Sequence, residues 1–182
     1  MTTESQRRSA LVIGAARSGK SRFAERLALG TGLVPLYIAT AEARDDEMAA
    51  RVAAHRADRA GRGWTTIEEP LDVIGALSRS ASTGQVVLVD CLTLWLSNLI
   101  EAGRDPDAEA AALATAVAGA TGPVVLVTNE VGAGIVPINA LARRFADAQG
   151  RLNQKIASAV TDVILVAAGQ PLRLKPAPEV TL

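Results

Sequence analysis

The 182-residue sequence predicts an α/β fold built on a doubly wound, mainly parallel sheet flanked by helices. Five short apolar runs, rich in valine, leucine and isoleucine, recur along the chain with helical segments between them. The runs are continuous rather than alternating, which is typical of strands covered on both faces. Strands that alternate with helices in this way favour parallel βαβ units.

The predicted elements follow one another without a linker-like stretch. The strands are expected at 10–14, 34–40, 85–90, 123–130 and 162–169. The helices are expected at 20–29, 45–60, 71–80, 92–101, 107–120 and 139–160. The polar stretches between elements have the length of loops, so we expect one domain over residues 1–182, with flexible tails at 1–8 and 176–182.

Composition narrows the class of protein. Lys and Arg together number 19, as do Asp and Glu, so no broad basic surface is expected and nucleic acid is disfavoured as a partner. Cys91 is the single cysteine, which excludes an intrachain disulfide and fits a reducing compartment. The N-terminal apolar run is too short for a signal peptide, and no run approaches a membrane span. We therefore expect a cytoplasmic protein.

Residues 14–21 match the pattern G-x-x-x-x-G-K-[ST] in full, between a predicted strand and a predicted helix. Glycines let the main chain curl so that successive N–H groups point at one anion, and the helix dipole adds positive potential. Lys20 can bridge the outer phosphates, and the Ser21 hydroxyl can bind Mg²⁺. This predicts a P-loop NTPase-type fold whose phosphate-binding residues are Gly14, Ala15, Ala16, Arg17, Ser18, Gly19, Lys20 and Ser21.

A P-loop site needs an acid at the end of a neighbouring apolar strand to complete the metal shell. Asp90 ends the run VVLVD and is the candidate. The alternative is that Asp90 caps the helix that opens at Leu92. The two roles are compatible, so both stay open at this point.

The only histidine, His55, lies among arginines on the predicted helix 45–60. Arg51, His55 and Arg59 fall at i, i+4 and i+8, so they share one face. One interpretation is a solvated charged helix. The other is that His55 is a nucleophile, because a neutral imidazole can attack phosphorus while arginines stabilise the charge on the phosphate oxygens. Neighbouring positive charge favours the neutral imidazole that such an attack requires.

The chain resembles the bifunctional adenosylcobinamide kinase / adenosylcobinamide-phosphate guanylyltransferase family over most of residues 10–175. The stretches that carry the resemblance include GAARSGKSRFAE, LYIATAEARDDEMAARVAAHRADR, VVLVDCLTLWLSNL, DVILVAAGQPLRLK and the long run from VVLVTNEVGAGIVP to GRLNQKIA. Trp64 and Glu68 belong to it as well. The loop TNEVGAGIVP is far more specific than the P-loop alone.

The resemblance implies an enzyme that phosphorylates the aminopropanol hydroxyl of adenosylcobinamide with a nucleoside triphosphate. It then implies transfer of GMP from GTP through a GMP–histidine intermediate, which gives adenosylcobinamide-GDP and pyrophosphate. Substrates would be GTP and ATP with Mg²⁺, and members of the family are reported as trimers.

The same resemblance implies residue roles. His55 would be the guanylylated histidine, and Ala54 stands where relatives can carry a second one. Further nucleotide contacts would come from Ile38, Ala39, Thr40, Arg56, Ala57, Asp58, Arg59, Glu68 and Asp90. Position 90 can be Glu in relatives, so Asp is a conservative change for a partner of the metal.

The residues support two rival functions less well. A simple P-loop small-molecule kinase would leave His55 and the loop at 128–137 without a role. A nucleotide-dependent switch or DNA-acting ATPase is disfavoured by the zero net charge and by basic stretches that lack aromatics. Asn129, Glu130, Gly132 and Gly134 follow a strand and are expected at the ligand edge of the sheet, as substrate-positioning residues or as a plain connecting loop. The polar stretch RRFADAQGRLNQ is expected to be a subunit contact or a solvated helix face.

Overall fold

The computed structural model describes residues 8–43 and 45–176, apart from the side chains of Glu47 and Arg51. The described elements are β1 (Ser9–Gly14), α1 (Lys20–Leu29), β2 (Val34–Ala39), α2 (Asp46–Arg59), β3 (Thr65–Glu68), α3 (Val73–Ser80), β4 (Gln85–Asp90), α4 (Leu92–Glu101), α5 (Pro106–Gly119), β5 (Val124–Asn129), α6 (Ala140–Ala159), β6 (Asp162–Ala167) and β7 (Gln170–Lys175). The predicted flexible tails fall outside the described residues, except for Arg8 and Pro176.

The strands form one seven-stranded sheet in the order β3-β2-β4-β5-β1-β6-β7. All neighbouring pairs are parallel except β6 and β7, so the predicted doubly wound, mainly parallel sheet is confirmed. The register pairs Gly14 with Asn129 and Asp90 with Val127. The carboxyl ends of β1, β5 and β4 therefore meet at one edge, where open parallel sheets bind ligands.

Two strands were not expected from the sequence, and both lie at the borders of the sheet. β3 has four residues and β7 has six, and all of these residues are partly or fully exposed. An exposed border strand needs no continuous apolar run, so the pattern that identified the five central strands is absent from these two. Pro171 is compatible with β7 because that strand pairs on one side only.

Helices cover both faces of the sheet. On one face α1 places Ala24 and Ala28 against valines of the central strands. On the other face α3, α4, α5 and α6 bury a larger aliphatic core around Trp95. No helix in the described ranges is long and apolar enough to cross a membrane.

Side-chain caps define where four of the helices begin. The Asp45 carboxylate accepts a hydrogen bond from the Met48 N–H at 2.7 Å at the start of α2. Asp72, Asp105 and Asn139 do the same for α3, α5 and α6. Each cap satisfies N–H groups that have no partner inside the helix, so the polar residues before the helices fix their first turns.

Trp95 is the largest fully buried side chain, and its Nε1–H donates to the carbonyl oxygen of Leu71 at 3.0 Å. We predict that Trp95→Ala lowers the free energy of unfolding by about 3–5 kcal/mol, because it leaves a cavity in the core. Urea denaturation measures the change. Trp95→Phe is the matched control, since it keeps most of the ring volume and should lose clearly less. Equal losses in the two variants would contradict the packing argument.

Candidate active site

The loop between β1 and α1 forms a tight cradle closed by two glycines. A Cβ on Gly14 would lie 2.4 Å from the carbonyl oxygen of Val166, so no larger residue fits there without a shift of the main chain. Gly19 has φ +92°, a conformation that favours glycine, and it precedes the first turn of α1. These constraints aim the first N–H groups of α1 at the space enclosed by the loop.

Lys20 lies folded along this cradle. It is buried, and its Nζ donates to the carbonyl oxygen of Ala15 at 3.2 Å, which holds the ammonium group over the loop. The Ser18 hydroxyl is also buried and has no hydrogen-bond partner among the described residues. Both side chains therefore retain unused hydrogen-bonding capacity in the loop, as a bound polyanion requires.

A cavity of about 820 Å³ joins the cradle to α2. It is lined by Arg17, Ser18, Gly19, Lys20, Ser21, Arg22, Glu25, Arg26, His55, Asp58 and Arg62. Three residues come from α2 or just after it, and His55 is one of them. The structure thus brings the only histidine to the same cavity as Lys20 and Ser21.

Glu25 is a residue of this cavity that the sequence analysis did not single out. Its side chain is 8% exposed, and the nearest guanidinium, that of Arg62, lies 3.9 Å away. Burial raises the pKa of the Glu25 carboxyl, and the charge of Asp90 adds to this, whereas Arg59, Arg62 and His55 oppose it. An acid in the helix after a P-loop matches no motif, so only the three-dimensional arrangement identifies it.

A second cavity of about 390 Å³ lies on the other side of α2. It is lined by Arg56, Arg59, Ala60, Trp64, Thr66 and Glu68, and Arg56 forms an ion pair with Glu68 across it. Nε and Nη1 of Arg59 and Nε1 of Trp64 are buried without an acceptor in the described part of the chain. Buried donors without an acceptor are rare in proteins, and these three belong to two residues that line one cavity.

The predicted cationic face of α2 divides into two environments. His55 and Ala57 are exposed, whereas Arg59 is 5% exposed and its Cζ lies 3.6 Å from the centre of the Tyr37 ring. The alternative of a solvated charged face is therefore wrong for Arg59, because stacking on an aromatic ring holds its guanidinium against the sheet. The side chain of Arg51 lies outside the described part of the structure.

Asp90 lies at the ligand edge and contacts Tyr37 rather than α4. Its Oδ2 accepts a hydrogen bond from the Tyr37 hydroxyl at 2.9 Å. Burial, and then the charge of Asp90, raise the pKa of Tyr37, so the phenol keeps its proton and stays a donor. Cys91 occupies the position before α4, and no side chain in the described ranges caps that helix, so the capping alternative for Asp90 is wrong.

The residues at the end of β2 differ in how exposed their side chains are at the ligand edge. Ile38 and Thr40 are fully buried, and Ala39 is partly exposed. The Thr40 hydroxyl accepts from the Cys91 N–H and donates to the Cys91 carbonyl, both at 2.8 Å. The side chains of Ile38 and Thr40 thus join β2 to the core and to the start of α4, while their main chain forms the edge.

A buried polar network lies beneath the loop that follows β5. Gln149 Nε2 donates to the Thr128 hydroxyl and to Asn153 Oδ1, and Asn153 Nδ2 donates to the Asn129 carbonyl. The expectation of a solvated or subunit-contacting face is wrong for Gln149 and Asn153, which are 1% and 7% exposed. The network fixes the main chain of Asn129 opposite Gly14, while Asn129 Oδ1 stays buried with no partner among the described residues.

Solved structures of other proteins share the fold of this chain. The chain is similar to the RadB recombinase, with a TM-score of 0.52 and 17% identity, over 88% of this chain and 74% of that one. It is also similar to the flagellar accessory protein FlaH of Methanocaldococcus jannaschii, with a TM-score of 0.50 and 12% identity, over 88% and 71% of the two chains. At these identities the likeness concerns the fold alone.

Comparison of sequences is more specific. The chain is 48% identical to the bifunctional adenosylcobalamin biosynthesis protein CobP of Pseudomonas aeruginosa, over 92% of this chain and 98% of that one. It is 42% identical to the protein CobU of Escherichia coli, which has the same bifunctional description, over 91% and 98% of the two chains. A family model described as cobinamide kinase / cobinamide phosphate guanyltransferase matches residues 10–174. With the cradle, the histidine and this match in agreement, the chain belongs to the cobinamide kinase / cobinamide phosphate guanyltransferase family.

Proposed function

We propose that this transferase phosphorylates adenosylcobinamide at the P-loop and then transfers GMP to the product through His55. Membership of the family gives the two activities, an adenosylcobinamide kinase and an adenosylcobinamide-phosphate guanylyltransferase of cobalamin biosynthesis. The observation that supports the residue-level proposal is the single cavity of about 820 Å³ shared by His55 and the phosphate cradle.

In the kinase step the aminopropanol hydroxyl oxygen attacks the γ-phosphorus of a nucleoside triphosphate. The bond to the β–γ bridging oxygen breaks, the nucleoside diphosphate leaves and the hydroxyl proton is released. Main-chain N–H groups of residues 14–21 and the Lys20 ammonium bind the phosphate oxygens, on which negative charge accumulates. Either ATP or GTP suits this step, because the cradle contacts only phosphates.

The residues at the cradle fit a Mg²⁺ ion that arrives with the nucleotide. The Ser21 hydroxyl and the Asp90 carboxylate are hard oxygen ligands, and the Tyr37 hydroxyl occupies only one of the two Asp90 oxygens. Mg²⁺ bound there would reduce the negative charge of the outer phosphates. Ser21 and Asp90 are the residues that we propose as its protein ligands.

In the guanylyl step the neutral imidazole of His55 attacks the α-phosphorus of GTP. A nitrogen–phosphorus bond forms, the bond to the α–β bridging oxygen breaks and pyrophosphate leaves. A phosphate oxygen of adenosylcobinamide phosphate then attacks the same phosphorus and releases the imidazole, which gives adenosylcobinamide-GDP. Arg17, Arg22 and Arg62 line the cavity and supply positive charge for the phosphates.

The second cavity extends the proposed nucleotide site to the other side of α2. Its unpaired Arg59 and Trp64 donors suit the acceptor oxygens and nitrogens of a nucleotide, with Arg56 and Glu68 beside them. Asp58 lies on the cradle side, and Ala57 is exposed on the same helix. The main chain of residues 38–40 would form the adjoining wall. We therefore retain Arg56, Ala57, Asp58, Arg59 and Glu68 as proposed contacts of GTP.

A trimeric state and a cytoplasmic location complete the proposal. Resemblance to family members reported as trimers supports the first. The single buried thiol of Cys91 fits a reducing compartment and supports the second.

We predict that His55→Ala abolishes formation of the guanylylated enzyme and keeps kinase turnover close to that of wild type. The imidazole supplies the nucleophile of one step only, which is the reason for this division. The measurement combines α-labelled GTP, denaturation and detection of acid-labile, alkali-stable label on the protein. Ala54→Ser, an exposed change on the same helix, is the control and should label normally. Wild-type enzyme without label would exclude the intermediate.

We predict that Lys20→Ala lowers kinase turnover by about a hundredfold or more. The variant lacks the preorganised positive charge that stabilises the transferred phosphoryl group. A coupled assay with adenosylcobinamide measures it. Lys155→Ala removes an exposed charge from α6 and should leave turnover unchanged. Full turnover in the Lys20 variant, with an unchanged melting temperature, would show that the kinase site is not at the cradle.

We predict that Glu25→Gln makes the protein more stable than wild type at pH 7. The folded protein holds the Glu25 proton more tightly than the unfolded chain, so the ionised group lowers stability as pH rises above its ordinary value of 4.5. The advantage of the variant should shrink as the pH falls towards 4.5, since wild-type Glu25 then takes up its proton. Urea denaturation across this range measures it. An advantage that grows on acidification would contradict the direction of the pKa shift.

A further inference from the structure

Exposed apolar side chains concentrate in one segment beside the cradle. Eight large apolar side chains are exposed in the described ranges, and five of them belong to the segment 131–141, named here the apolar segment. Its members are Val131, Ile135, Val136, Ile138 and Leu141. Ile135 is 96% exposed and Ile138 is 98% exposed. A concentration of exposed apolar side chains of this kind is typical of a site that binds a partner or a ligand.

Specific contacts hold the apolar segment in place. Glu130 Oε1 accepts a hydrogen bond from the Gly132 N–H at 2.8 Å. Arg143 Nη1 donates to the carbonyl oxygens of Pro137 at 2.8 Å and Ile138 at 2.6 Å. Asn139 caps α6 directly after Ile138. The protein therefore presents isoleucine side chains to solvent from a hydrogen-bonded main chain.

The apolar segment begins where the cradle begins. Asn129 pairs with Gly14 in the sheet, and the Glu130 N–H donates to the Gly14 carbonyl at 3.2 Å. The segment starts at the next residue, so it leaves the cradle on the side of β5. The first residue of the apolar segment is therefore adjacent to the start of the cradle.

A groove along this segment combines apolar walls with charged groups. Its volume is about 480 Å³, and Val131, Ile135 and Val136 are among its apolar walls. Arg144 and Asp147 line the groove as well, and both are exposed. A guanidinium donates to amide carbonyl oxygens and a carboxylate accepts from amide N–H groups. A ligand that carries both methyl groups and carboxamides matches this set.

We propose that the apolar segment binds the corrin ring of the cobinamide substrate, whose rim carries methyl groups and carboxamide side chains. This inference rests on the proposed function, since the bound ring must bring its aminopropanol hydroxyl to a nucleotide in the cradle. The methyl-bearing edge packs on Ile135 and Val136, and the carboxamides pair with Arg144 and Asp147. The start of the apolar segment, one residue after the Glu130 N–H that bonds to Gly14, lies beside the cradle and favours the corrinoid over a second copy of the chain as the occupant.

The test is the double variant Ile135→Ser, Ile138→Ser, with equilibrium dialysis of adenosylcobinamide as the direct measurement. Both side chains are almost wholly exposed, so the fold should be unaffected, as the melting temperature will verify. We expect the dissociation constant to rise about tenfold or more, from the loss of two apolar contacts. The KM for adenosylcobinamide in the kinase assay should rise with it, and labelling by GTP should stay at the wild-type rate. Val34→Ser changes an exposed apolar residue at the opposite end of the sheet and should alter neither value.

An unchanged dissociation constant in the double variant overturns the proposal. So does dissociation of an oligomer in sedimentation velocity when wild type remains assembled, because the apolar segment is then covered by a second copy. Failure of the proposed function has a different signature, since wild-type enzyme would then take no label from GTP. Binding of the corrinoid by wild type and its loss in the variant would support the apolar segment even in that case.

Discussion

The stacking of Arg59 on Tyr37 is the contact on which the arrangement of the active site depends. α2 has few large apolar side chains, so it cannot pack on the sheet through an ordinary aliphatic face. The Arg59 guanidinium lies on the Tyr37 ring instead, and the Tyr37 hydroxyl bonds to Asp90 at the ligand edge. One chain of contacts thus runs from the helix that carries His55 to the acid beside the cradle.

This contact divides the surroundings of α2 into two cavities with different chemistry. The larger one contains the phosphate loop, His55 and the buried Glu25 carboxylate. The smaller one contains donors that lack acceptors in the described part of the chain. A buried carboxylate and unpaired buried donors both lower stability in the absence of a ligand. Their concentration around one helix is the pattern expected where function, rather than stability, has selected the residues.

The sequence predicted the features that depend on local pattern. Continuous apolar runs identified the five central strands, and the full P-loop pattern located the cradle between β1 and α1. β3 and β7 were not predicted, because exposed border strands have no such apolar run. The burial of Arg59, which the sequence placed among the nucleotide contacts, and the presence of Glu25 in the cavity were not predicted for a different reason, since the burial of each depends on residues distant in sequence. No periodicity distinguishes an arginine that stacks on Tyr37 from one in solvent.

The amide network below β5 has a consequence for how this protein can change over evolution. Gln149, Asn153 and Thr128 form a closed set in which each side chain is a hydrogen-bond partner of the other two. Loss of any one of these side chains leaves the other two buried with incomplete hydrogen bonding. A protein that carries only a single substitution in this set is therefore less stable. The three positions are therefore expected to vary jointly among descendants or not at all, although two of them, Gln149 and Asn153, belong to a helix whose sequence looks like an ordinary polar surface.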